Sequence, residues 1–286
     1  MNRPEYAFLT PAPIFAAEGE TYSPSLTAHS RTLGPVRALG TLGYDARAYS
    51  LSHGKPNLEE LRQAKAVVFG EGAPPIEGLS GPLLIFDRNQ IPDVYEGPEL
   101  EPRAPRAQPR SRALNWLAAR AGLATESWRI RLLWVGEATD LEALESSLKS
   151  LQGLGREIPL ELRCLSPQAD AVADRLREED PEALRLAVET WSPAAMRHAL
   201  FDCDLVVLPQ TPLTAIHAGR FAIAPRAARR LGEFAWSGDE PAEGIRWALS
   251  HPSDVLDRLR RGQQYVNEFH APAAVGRAWI RLFMKT

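Results

Sequence analysis

The chain has 286 residues, enough for about two domains of ordinary size, and its 44% hydrophobic and 24% charged content excludes wholesale disorder or a fibrous repeat. Thirty-three basic residues against 36 acidic ones leave a net charge of −3, without the basic excess that nucleic acid or an anionic membrane would require. Cys164 and Cys203 both lie in apolar stretches and read as buried free thiols, so a Cys-only zinc site and a disulfide scaffold are excluded.

The first predicted element is a strand over Tyr6–Thr10. The same region has the apolar patch of a secretion signal, but Pro11 and Pro13 interrupt it, and no run approaches the ~20 apolar residues of a membrane span. Cytoplasm is the expected compartment. A long loop, PAPIFAAEGETYSPS, follows, then a helix over Leu26–Leu42 that Gly34-Pro35 must start or kink. Strands are predicted at Ala46–Leu51, Ala66–Phe69 and Leu83–Phe86, with a short helix at Asn57–Ala64. Six prolines or glycines fall within residues 91–112, which read as an extended linker with solvated arginines; a local anion site at Arg103, Arg106, Arg110 and Arg112 is the alternative.

The second half alternates more cleanly. Arg131–Val135 is a continuously apolar strand, as in a sheet covered on both faces. Gly136-Glu137 ends it, and Leu141, Leu144, Leu148 and Leu151 recur at helical spacing. PLELRCL, LRLAVE, DLVVLP and FAIAP are further strands; SPAAMRHALFDC is a helix capped by Ser192 with Pro193 in its first turn, and a short helix passes through Ala215. The C-terminus is all helix, and Val275, Ala278, Trp279, Leu282 and Phe283 form a broad apolar stripe beyond Pro272. The pattern is α/β: two Rossmann-like, doubly wound domains facing across a cleft. The first domain comprises 1–110, trimmed, plus a returning helix 272–286; 111–127 is a linker or helix, and 128–271 is the second domain. A homodimer or partner-subunit interface is the alternative use of that stripe.

Taken in order, RTLGPVRALGTLGYDARAYSL, LLWVGEATDLEALESSLKSL, AMRHALFDCDLVVLPQ, AGRFAIAP and EFAW with GIRWALSHP resemble the GT-B fold glycosyltransferases, specifically the family-4-like group that uses nucleotide-sugars. The resemblance implies transfer of a sugar from a nucleotide-sugar donor to a glycan, lipid or small-molecule acceptor, with no metal or other cofactor and no nucleic-acid partner. It also implies that the last helix returns to the first domain. The chain departs from the family pattern in two places. Gly136 is followed by Glu137-Ala138-Thr139-Asp140 rather than by a basic residue, and Thr214 stands where a ribose-binding Glu aligns. A degenerate, non-catalytic member that binds a nucleotide-sugar, a glycan or a partner subunit is therefore the alternative.

Donor chemistry needs cations or amides for the diphosphate and an apolar slot for the base, beyond the carboxyl ends of strands. The donor-binding candidates are Gly136, Trp191, Thr211, Thr214, Arg229, Arg230 and Glu233, with Arg226 behind the two arginines. Each has a plainer reading: a tight turn, a core aromatic, a helix cap, a solvated helix face, or an ion pair between Glu233 and Arg229. On the acceptor side the candidates are His29, Arg31 and Asp87, with Glu18 and Glu20 as alternative bases.

Overall fold

The computed structural model describes residues 4–17, 20–86, 99–105, 129–176, 181, 183–207, 212–224, 232–238 and 240–285. Asp87, Thr211, Arg226, Arg229, Arg230, Glu18 and the expected linker-helix 111–127 lie outside the described residues. The chain divides into two compact units, residues 1–96 with 265–286 and residues 97–264.

Unit 1 is built on four parallel strands, β1 (Tyr6–Thr10), β4 (Ala46–Ser50), β5 (Ala66–Phe69) and β6 (Leu83–Phe86), in the order β4-β1-β5-β6. β1 is buried throughout because both faces are covered. Tyr6 and Phe8 join Val68, Leu39, Val275 and Trp279 on one side, while Ala7 and Leu9 join Leu61, Val67, Phe69 and Leu79 on the other. The stretch after β1 is not a plain loop: β2 (Phe15–Ala17) and β3 (Glu20–Tyr22) form an antiparallel hairpin. The expected helix from Leu26 is α1 (Leu26–Ala28), a π-helical stretch His29–Leu33, and α2 (Gly34–Gly40). Pro35 lies in the first turn of α2, where its missing N–H costs nothing.

Helix α3 (Leu58–Arg62) covers the second face, and the final helix of the chain, Pro272–Lys285, covers the first. Trp279 meets Phe8 edge-on at 5.1 Å, and Phe283 stacks on Tyr6 at 4.4 Å. Gly276 lets this helix approach α2 closely, since a Cβ there would lie 2.7 Å from the Ala38 carbonyl oxygen.

Unit 2 holds six parallel strands: β7 (Ile130–Val135), β8 (Leu160–Ser166), β9 (Leu184–Thr190), β10 (Leu205–Val207), β11 (Phe221–Ala224) and β12 (Trp236–Ser237). Their order is β12-β11-β10-β7-β8-β9. Counted from β7, this is the 3-2-1-4-5-6 order of a doubly wound dinucleotide-binding sheet. The described helices of the unit are α4 (Leu141–Glu157), α5 (Ala169–Arg175), α6 (Pro193–Asp202), α7 (Leu213–His217), α8 (Pro241–Ser250) and most of α9 (Pro252–Phe269); the final helix is α10. Sequence periodicity located neither α5 nor β12: the helix is two turns long, and the strand is two residues long.

Arg103 is not a solvated linker arginine. It pairs with Asp204 at 3.2 Å, and its backbone N–H donates to the Gly219 carbonyl at 3.1 Å. The extended segment 99–105 is held further by Gln263, whose amide donates to the Leu100 carbonyl at 2.9 Å. Arg220, 4% exposed, donates to the carbonyls of Leu200, Phe201, Ala218, Gly219 and Glu101. It thereby satisfies the carboxyl ends of α6 and α7 with a cation, the sign that helix termini favour there.

Candidate functional site

In an open parallel sheet a ligand binds beyond the carboxyl ends of the strands, where the strand order reverses. In unit 2 that point lies between β7 and β10, at the ends marked by Val135 and Val207. Gly136 is the first residue past β7. Its amide donates to the Leu165 carbonyl at 3.2 Å, and a Cβ would lie 2.8 Å from Cη2 of Trp134, so the buried indole alone requires glycine here.

The next two amides are also engaged. Glu137 N–H donates to the Asp140 carboxylate at 2.8 Å in a reciprocal capping box, and Ala138 N–H donates to the Gln168 side-chain oxygen at 3.1 Å. Gln168 is itself tied through its N–H to Ser166 Oγ at 3.1 Å, and Arg175 clamps the Ala138 carbonyl while pairing with Glu145. The two amides that follow Gly136 are thus engaged within the protein. The β7 turn is closed by its own Asp140 and by Gln168 and Arg175 from beyond β8, and it carries two carboxylates.

Trp191 follows β9 at the same edge, with its amide donating to the Ser166 carbonyl at 2.9 Å and its ring buried. The chain turns there into α6, whose cap is Ser192 Oγ accepting from Ala195 N–H at 3.1 Å. Thr214 is half-buried in α7, the helix that follows β10. The structure therefore gathers Gly136, Trp191 and Thr214 along one edge. Glu233 is exposed in the turn that enters β12 at its amino end, so the topology does not carry it to that edge.

Unit 1 reverses its strand order between β1 and β5. Beyond their carboxyl ends Gly70 N–H donates to the Leu9 carbonyl at 2.8 Å, and a Cβ on Gly70 would lie 3.3 Å from Thr32 Oγ1. The π-helical stretch therefore packs its buried Thr32 against the strand ends. Such stretches recur at functional sites. This one carries two of the acceptor-side candidates, His29, which is buried, and Arg31, which is half-buried, while Glu20 is exposed in β3. Thr10 and Ser23 add two more buried hydroxyls at this end of the sheet. Neither was singled out in the sequence, where an isolated Thr at a strand end carries no signal.

The thiols of Cys164 and Cys203 are buried and free, and burial pushes both up to about 12, so neither is a thiolate nucleophile at neutral pH. No helix among the described residues is long and apolar enough to cross a membrane.

No family model matches the sequence, and no curated protein matches it. Among solved structures, the chain is similar to the glycosyltransferase SnogD from Streptomyces nogalater, at a TM-score of 0.53 and 16% identity over 99% of this chain and 100% of that one. It is also similar to HepE from Anabaena, solved in complex with UDP and glucose, at a TM-score of 0.58 and 8% identity over the same shares. The fold is that of the GT-B glycosyltransferases, each unit a parallel, Rossmann-like sheet.

Proposed function

We propose that the protein is a glycosyltransferase that binds a nucleotide-sugar at the carboxyl edge of the unit 2 sheet and delivers the sugar to an acceptor held by unit 1. The observation that carries this reading is the β7–β10 reversal in a six-stranded parallel sheet, a generic nucleotide position, in a chain whose fold matches that of glycosyltransferases over its whole length. HepE, of the same fold, was solved with UDP and glucose.

The electrostatics of the edge divide the labour. The β7 side bears Glu137 and Asp140 with its amides engaged, which repels a diphosphate but suits the hydroxyls of a sugar, since carboxylates accept from O–H donors. The diphosphate charge is then met from the side of β10 and β11. There the sequence supplies Thr211, Arg229 and Arg230, with Arg226 behind them, and the reaction needs no metal ion. Stabilising the departing diphosphate is the main electrostatic task of the transfer. Bidentate guanidinium donors match phosphate oxygens better than lysine does.

A thermal-unfolding panel of UDP, GDP, ADP and their sugars tests the reading. A ligand at a hundredfold excess over Kd stabilises by about 2.7 kcal/mol, and Arg229→Ala with Arg230→Ala removes that gain. If no nucleotide raises Tm at millimolar concentration, the glycosyltransferase assignment fails.

A further inference from the structure

The hairpin β2–β3 leaves the carboxyl end of β1 and carries aromatic rings into solvent. Phe15 is 45% exposed, its ring centroid 5.9 Å from that of Tyr22 and 5.7 Å from that of His53, which follows β4 at the same end of the sheet. Three ring systems from three segments thus form one partly wet cluster.

Polar bonds hold this arrangement in place. Ser23 Oγ donates to the Pro13 carbonyl at 2.7 Å, Ser50 Oγ to the Ala12 carbonyl at 2.8 Å, and Arg37 to the Thr21 carbonyl. Both ends of the hairpin are thereby braced against the body of unit 1. Hydrophobic collapse alone would turn Phe15 inward, and a braced aromatic left in water is a feature to be explained. Beside the rings, the exposed Ser52 shares a 2.7 Å hydrogen bond with Ser50, and the His53 imidazole adds another polar group.

We propose that Phe15, Tyr22 and His53 form a platform for one face of a neutral pyranose ring. The axial C–H groups of a sugar present a flat, weakly positive surface that complements the negative face of an aromatic ring. The hydroxyls around its rim are matched by Ser50, Ser52 and the imidazole. A rigid aromatic surface loses little side-chain entropy on binding, which suits a ligand that offers only weak individual contacts. That the bound sugar belongs to the acceptor rests on the glycosyltransferase reading; the binding itself does not.

The test is NMR on protein labelled at Phe and Tyr rings, titrated with methyl β-glucopyranoside, methyl β-galactopyranoside and methyl α-mannopyranoside, with sorbitol and indole as non-pyranose probes. At least one pyranoside shifts the Phe15 and Tyr22 ring signals saturably, sorbitol does not, and Phe15→Leu weakens binding about two- to tenfold, because it keeps apolar bulk and loses the π face. Silence with all three pyranosides, a response to indole alone, or unchanged binding by Phe15→Leu overturns the proposal. UDP titrated into the same sample reports on unit 2 separately. Failure of UDP with a responding platform removes the glycosyltransferase reading and leaves the pyranose site standing.

Discussion

Two glycines of α4, the helix that leaves the β7 turn, answer the same substitution with opposite signs. Gly153 is exposed and has nothing within 4 Å of where its Cβ would be. Gly153→Ala therefore gains helix propensity and nothing else, about 0.5–1 kcal/mol. Gly155 is buried, and its Cβ would lie inside van der Waals contact of the Ala183 carbonyl oxygen and 2.6 Å from the carbonyl carbon. That carbonyl accepts from Leu160 N–H at 3.2 Å, where β8 begins. Making room for the methyl separates α4 from the strand entries, at about 1–3 kcal/mol for overpacking and about 1 kcal/mol for the strained hydrogen bond. Against a propensity gain of about 1 kcal/mol, Gly155→Ala is expected to destabilise by about 2 kcal/mol. Urea titration and thermal unfolding measure both changes. At about 2–4 °C per kcal/mol for a unit of this size, Gly153→Ala raises Tm by a few degrees and Gly155→Ala lowers it by about 4–8 °C. A Gly155→Ala variant as stable as Gly153→Ala would refute the close approach of α4 to Ala183.

Arg220→Met leaves five carbonyls without their donor in a site that is 4% exposed; a loss of at least about 3 kcal/mol in urea unfolding is expected, and Arg220→Lys does not rescue it because one ammonium cannot span five acceptors. Trp279→Ala removes the indole from Phe8 and opens a cavity of about 3–5 kcal/mol, so hydrogen exchange should quicken in β1 and β5 of unit 1 while the β7–β8 amides keep their protection. The two thiols make stability fall in alkali. Burial raises both from 9.0 to about 12, so the unfolded chain releases these protons first; their contribution is complete below pH 9 and is lost as pH rises toward 12, at up to about 1.4 kcal/mol per pH unit for each. Cys164→Ala with Cys203→Ala should flatten that slope in denaturation curves measured from pH 8 to 11, and an unchanged slope would show that other groups cause it.

Much of the fold was legible in the chain because its signals are local. β1, β5 and β7 are short, mostly apolar runs between turn residues that the fold buries, and α4 repeats leucine at helical spacing on its buried face; β6 is equally apolar in sequence, yet Leu84 and Phe86 stay exposed. Ser192 and Pro193 announced the start of α6 because an N-cap is chemistry between neighbours in sequence. The apolar stripe of α10 predicted its burial, and the cores show where it lies: in unit 1, against α2 and β1.

What the chain alone left undecided depends on partners remote in sequence. The glycine at 136 reads as a phosphate turn; the structure adds that Trp134 packs against it and that Asp140 and Gln168, the last from another strand's end, take up the amides of the next two residues. Arg103 reads as a solvated linker residue because Asp204 and Gly219, which hold it, lie about a hundred positions away. The ring cluster at Phe15 needs a hairpin in place of a loop and a histidine from beyond β4. Composition and periodicity fix which segments form strands and helices. Only tertiary structure decides which side chains meet at a strand's carboxyl end, because those contacts join segments that sequence pattern treats as independent.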